Sequence, residues 1–445
     1  MAGVSLAWLL DGARDVVLLE ARDTVGGNVQ SVEVDLEGHR FLVDLGAQYF
    51  HPGPYPVYTA LLRELDLYDP DSSDGPAHSF PASITLTAGI RATPRFVSPV
   101  LPQRRWPFFA PWNAAGLGAF GVGFIAGRVR DHLDHPWDVT LDEWLPGLGL
   151  ARKQWEGMLL PWAASLFSGR IDQARRLSAR AAMIFAARAL PANPFDPLHY
   201  YVLKPGMIAA MTTMLAQCST VQVLTGARVV RIARTAQGGF AVHRESGPPL
   251  DVGDLVLASS GPSTASLLSG LDGTAARLES LGAIEFHQAR VALHADPAFA
   301  PADPKHRSFF NCDVQGNFCE ASMWLASVIA GAPPASSARV WKSWVSHRAR
   351  PQQVLHEAEF THMLPTVDTI RAQDRLASLQ GADGIWLAGG YQFPYDAQET
   401  ALVSALQVAR SLGVTSPRSE RLSAVWNGEG SKRKALAESD SEWVG

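Results

Sequence analysis

An α/β fold is predicted by three features of the chain. Near the start, Val4 to Leu10 has helical character and leads into the aliphatic run Val16-Val17-Leu18-Leu19, of buried parallel-strand type, which closes on Glu20. Near the end the same logic recurs: a strand at Ile385 to Ala388, the glycine pair Gly389-Gly390, then a helix from Gln398 to Leu412. Between them, strand-like segments at Val221 to Leu224, Ala227 to Ala233, Phe240 to His243 and Leu255 to Ala258 follow a helix that ends at Gln217. Helix, strand and closing acid form the second half of a mononucleotide-binding unit, so the first domain is Rossmann-like. Its first strand is missing. Ala2-Gly3 matches only the last glycine of a G-x-G-x-x-G turn, and about ten residues of strand and turn are absent. The expectation is therefore that Met1 is an internal or misassigned start, that the sheet has an unfilled slot beside Val16 to Leu19, and that a nucleotide is held weakly if this form is the product.

Composition sets the outer bounds. The 445 residues are 47% apolar, 9% aromatic and 18% charged, enough for a large core in two or three domains and incompatible with whole-chain disorder. Thirty-eight basic against 43 acidic side chains give a charge of −5 and a pI near 6.2, so nucleic-acid binding is not expected. Cys218, Cys312 and Cys319 are too few for a disulfide framework, which points to a cytoplasmic setting. The apolar opening MAGVSLAWLL has no basic leader and stops at Asp11, so it reads as a buried helix rather than a signal peptide. Ala114 to Gly127 is too short to span a bilayer; it reads as a core helix, with peripheral membrane contact as the alternative.

Residues 1–70 form the first part of the nucleotide domain, with a hairpin of Val29 to Val34 and Phe41 to Leu45 through Glu37-Gly38 and a helix from Tyr55 to Leu67. A discontinuous α+β domain takes up 71–205, and its helical stretch carries Trp137, Trp144, Trp155 and Trp162 as if it had its own core. There Thr140 and Glu143 make a capping box. The nucleotide domain resumes over 206–285, a sheet of the second domain follows at 286–358, and 359–413 closes the nucleotide domain. The tail at 414–445 is polar, with mixed charges over Ser431 to Ser441, and is read as disordered.

The runs LEARDTVGGNVQSV and VDLGAQYF, the segment Thr225 to Ile232, and the closing IWLAGGYQFPYDAQETALVSALQVA resemble the FAD-dependent amine oxidase superfamily, and between Val291 and Gln380 the segments VALHADPAF, ASMWLA, VWKSWVSHRARP, FTHMLPT and AQDRLASLQG resemble a poorly characterised bacterial branch of it. The resemblance implies FAD. Glu20 would hold the ribose, with Arg22 beside it; Gly26, Gly27 and Asn28 would approach the pyrophosphate; Gly3 would open the first helix. Gly46, Ala47 and Gln48 would run by the flavin ring, the Val229 backbone would meet the adenine, and Gly389, Gly390, Gln398, Glu399 and Ala401 would bring a helix N-terminus to the flavin. Asn28 stands where the family usually has arginine, and Asp396-Ala397 where an aromatic residue usually cages an amine. The segment Gln288 to His294 lacks the lysine that many members place near the flavin.

The resemblance implies hydride removal from a small amine or apolar substrate onto the flavin. A lipid or terpenoid desaturase or isomerase and a degenerate, non-catalytic family member stand as alternatives. No catalytic acid or base is assigned. His294, His356 and His362 read as structural histidines, and Lys342 either approaches the flavin or snorkels from a sheet face. No metal site is expected from Cys312 and Cys319 or from His132 and His135.

Overall fold

The computed structural model describes residues 1–428 apart from 37, 73, 100–105, 192, 194–195, 197 and 330–338. The opening helix, Ala2–Leu10, buries eight of its nine residues, as a helix apolar on all sides must. It packs between the helices Ile208–Ala216 and Gln398–Ser411. Val17–Leu19 pairs in parallel with Gln222–Leu224, and Leu255–Leu257 in parallel with Ile385–Leu387. Among the described residues no strand joins these two pairs, so they stand as separate two-stranded sheets. A three-stranded antiparallel sheet (Val229–Arg234, Phe240–Arg244, Leu250–Val252) completes this half. The predicted hairpin forms as Ser31–Leu36 against His39–Asp44.

The other half is built on a seven-stranded sheet, ordered Val354–Met363, Phe286–His294, Trp341–Trp344, Phe318–Trp324, Phe310–Gln315, Ile84–Thr87, Phe96–Val97. Every neighbouring pair is antiparallel except Phe310–Gln315 with Ile84–Thr87. Glu320, fully buried in this sheet, accepts hydrogen bonds from Ser168 Oγ (2.8 Å) and from the backbone N–H of Ser346 (2.8 Å), His347 (3.2 Å) and Arg348 (3.1 Å), which ties the turn after Trp344 to the neighbouring strand. The capping box is present: Thr140 Oγ1 accepts from Glu143 N (3.2 Å) and Glu143 Oε2 accepts from Thr140 N (2.8 Å).

Four expectations need correction. The helical stretch has no core of its own, because Phe120, Leu159, Trp162 and Met183 share one cluster with the sheet residues Val291, Cys319 and Met323. The strand Val354–Met363 crosses the boundary drawn at 358, since its pairing with Phe286–His294 continues to Met363. Residues 417–428 are helical, not disordered, and are held by Leu422, 1% exposed, and by an edge-on contact of Trp426 with Phe393. Ser431 to Ser441 lie outside the described residues. Finally, the Ala114 to Gly127 segment lies within the helix Ala114–His132, but only one side of that helix is buried.

Candidate cofactor and substrate site

One cavity of about 1680 Å³ lies between the two halves. Its nucleotide-side wall includes Glu20, Val229 and Ser259, the turn Gly26 to Asn28 and the segment Gly46 to Gln48. Gly389, Gly390, Gln398 and Ala401 bound it where the last long helix starts.

The glycines show why these positions lack a side chain. At Gly3 a Cβ would lie 3.1 Å from Ala258 Cβ and 3.4 Å from Leu18, so the glycine lets the first helix sit against two strands. Gly26 has φ +141°, and a Cβ there would meet Val29 O at 2.3 Å; Gly27 has φ +62°. At Gly46 a Cβ would lie 1.8 Å from Asn28 O, because Ala47 N donates to that same carbonyl (3.0 Å). A Cβ on Gly390 would meet the Asp396 carboxylate at 2.1 Å. Gly389, by contrast, is extended, and a Cβ there would meet the Tyr391 ring at 2.6 Å.

Glu20 follows its strand directly, keeps 23% of its side chain exposed, and accepts a hydrogen bond from Arg22 N (3.0 Å). The Arg22 guanidinium donates to Gly27 O (2.8 Å), which braces the glycine turn. Gln398 Nε2 donates to Tyr49 O (3.2 Å). Glu399 departs from its expected place at the cofactor. It is fully buried, and its carboxylate accepts from Val57 N (3.0 Å) and Tyr58 N (2.7 Å), capping the start of the helix Pro56–Glu64. Acidic residues opening a helix satisfy free N–H groups equally well on a neighbouring helix, and sequence order does not reveal which.

For Lys342 neither the flavin-side nor the snorkelling expectation describes its position fully. Its Nζ is buried and donates to Asp44 O (2.9 Å), Gly46 O (2.9 Å) and Gln48 Oε1 (3.0 Å), so it neither snorkels nor stands free. In the sheet Lys342 pairs with Leu293. A lysine therefore reaches the Asp44 to Gln48 segment from the strand beside Phe286–His294. Only the strand order could have shown this. Burial pulls the Lys342 ammonium down to about 7, opposed by the Asp44 carboxylate, and burial raises Asp44 to about 6. Asp44 in turn accepts from Met207 N (3.0 Å) and from Ser31 Oγ.

The histidines divide. His294 is buried, with Nε2 2.8 Å from Ser343 Oγ and Nδ1 accepting from Asp296 N (3.1 Å), and His356 Nε2 lies 3.2 Å from Glu33 O on the outside. His362 lines the cavity, with its ring 5.3 Å from Trp344 and stacked at 6.0 Å on His287. Among the described residues no group of histidine, cysteine and carboxylate side chains could hold a metal ion, and the three cysteines are free thiols.

The remaining wall is aromatic, formed by Phe124, Trp162, Phe167, Phe185, Tyr200 and Phe310. The carboxylates that reach the cavity lie elsewhere: Asp15, Glu20, Asp251 and Asp254 on the nucleotide half, Glu359 paired with Arg290 (3.3 Å), and Asp396 beside Gly390.

An acid closing a parallel strand, glycines without room for a Cβ and a helix N-terminus at one cavity define a dinucleotide-cofactor protein of the two-part α/β kind. Residues 1–295 match the family described as flavin containing amine oxidoreductase, and the chain belongs to that family, whose cofactor is FAD. No curated protein matches the sequence. Solved structures similar in fold include a CLA-producing fatty acid isomerase from P. acnes (14% identity, 92% of this chain and 96% of that one, TM-score 0.61). Wild-type putrescine oxidase bound to putrescine is similar too (14%, 93% and 97%, TM-score 0.62), as is cyclohexylamine oxidase from Brevibacterium oxydans IH-35A (13%, 93% and 97%, TM-score 0.58).

Proposed function

We infer that this chain is an FAD-dependent oxidoreductase acting on an apolar substrate. The observation that carries the reading is the aromatic wall around Phe124, Trp162 and Phe310, which has no carboxylate among its described lining residues. An ammonium or polyamine guest there would lose its hydration without gaining a counter-charge, a cost of several kcal/mol. FAD, when bound, supplies the hydride acceptor. Glu20 would take the ribose hydroxyls, the Gly26-Gly27 turn the pyrophosphate, and Gln398 and Ala401 the flavin edge. Lys342 fixes the Asp44 to Gln48 segment beside which the ring would lie. Phe124, Trp162 and Phe310 would exclude water and orient the substrate. The lipid or terpenoid desaturase and isomerase readings fit the same wall.

Anaerobic mixing of the holoprotein with two substrate panels tests this. Long-chain unsaturated or terpenoid compounds should bleach the flavin, while simple primary amines and diamines leave it oxidised. Bleaching by the amines alone overturns the reading.

A further inference from the structure

The helix Ala114–His132 turns the wrong kind of surface to water. Its exposed positions up to Val129 are Ala114, Ala115, Gly118, Gly121, Val122, Ile125 and Val129, with no polar residue among them. Ile125 is 61% exposed, Val129 49% and Val122 40%, whereas a surface helix normally presents charged and polar side chains on that side. The opposite side packs tightly: Gly123 sits against Leu159 and Gly127 against Met183. The loop entering the helix adds exposed aromatics, with Phe109 at 66%, Trp106 at 58% and Trp112 at 37%.

Charge sets this region apart as strongly as apolarity does. From Gly75 to Arg130 the sequence has no aspartate or glutamate and six arginines, at 91, 95, 104, 105, 128 and 130, in a chain whose net charge is −5. Of these, Arg91 and Arg95 are exposed, and the Arg95 backbone abuts Gly116 of the helix. Aliphatic residues along one helix face, tryptophan and phenylalanine at its entry and the exposed Arg91 and Arg95, in a stretch of sequence without acids, together match an interfacial segment that lies in the headgroup region of an anionic bilayer. Among the described residues no helix is long and apolar enough to cross a membrane, so the contact would be peripheral.

We propose that this helix face and the aromatic residues Trp106, Phe109 and Trp112 before it dock the protein on an anionic lipid surface. The same helix sends Phe124 into the cavity, so docking would set the cavity wall against the source of an apolar substrate. The docking itself does not depend on the flavin reading.

Flotation of the holoprotein with vesicles tests the proposal. The protein should float with phosphatidylglycerol/phosphatidylcholine vesicles and much less with phosphatidylcholine alone, and high salt should weaken the binding. The double substitution Val122→Glu/Ile125→Glu should lower vesicle affinity about tenfold or more, with bound flavin and far-UV circular dichroism unchanged. If that variant fails to fold, Gly121→Glu serves instead, because a side chain there enters open space. Absence of flotation, or flotation that these substitutions leave intact, overturns the proposal. So does a dimer seen by sedimentation equilibrium that Val122→Glu/Ile125→Glu dissociates, since the face would then join two copies of the chain.

Discussion

Lys342→Met is expected to destabilise the protein by about 3 kcal/mol or more and to weaken FAD binding about tenfold. The substitution nearly preserves volume, so the cost comes from hydrogen bonding rather than from a cavity. Three acceptors lose their donor at once: the carbonyls of Asp44 and Gly46 and the side-chain oxygen of Gln48. An orphaned buried acceptor costs about 1 to 3 kcal/mol. Filling all three needs the ammonium, with its three N–H groups; a neutral amine would fill two. The same loss frees the Asp44 to Gln48 segment along the cavity, and a tenfold fall in affinity corresponds to about 1.4 kcal/mol. Urea unfolding and FAD titration of Lys342→Met measure the two effects. An unchanged midpoint would show that the three hydrogen bonds do not hold this segment.

Acidification should have a comparably large effect. Burial pushes His51, His294 and His362 down to about 4 from the usual 6.5, with lesser contributions from His199, Arg348 and His287 respectively. In the unfolded chain each takes up a proton as pH falls through 6.5, while in the folded protein each stays neutral until about 4. The unfolded state therefore binds more protons in that window, and stability falls as pH falls, by up to about 3 kcal/mol per site. Asp44 and Asp396 act in the opposite sense. Burial raises both to about 6, so below pH 6 the folded protein binds the additional protons and regains part of the loss. The loss is expected to set in below pH 7, to be steepest around pH 6 and to flatten towards pH 4. Urea midpoints measured across that range check it, and a midpoint that rises from pH 7 to 6 would contradict the assignment of neutral buried histidines.

How far the sequence reached depends on which elements are local. Short apolar runs mark the parallel strands Val17–Leu19, Leu255–Leu257 and Ile385–Leu387 in the sequence, and their glycine and acid punctuation locates the nucleotide wall, although Val17 is exposed and Leu18 and Leu19 are half-buried rather than buried on both faces. The capping box at Thr140 was equally visible because both partners lie within one turn. What stayed hidden depends on long-range pairing. Lys342 became a neighbour of Gly46 only through a strand order that departs from sequence order. Glu399 caps a helix more than 340 positions earlier in the chain, a partnership that spacing cannot reveal. The Ala114–His132 helix is apolar on both sides, and periodicity shows a stripe only where a polar side contrasts with it. The tail is polar by composition, but Leu422 and Trp426, spaced i, i+4, give its first turns one apolar helix face that packs on the nucleotide half.

One cavity, from Glu20 to the start of the Gln398–Ser411 helix, is expected to hold FAD. The most direct measurement is the visible spectrum of the purified chain, followed by release and quantification of its flavin after denaturation. An oxidised-flavin spectrum and one FAD per chain are expected, bound as isolated or restored by adding FAD. A colourless protein that takes up no FAD on reconstitution would contradict it and favour the degenerate, non-catalytic reading.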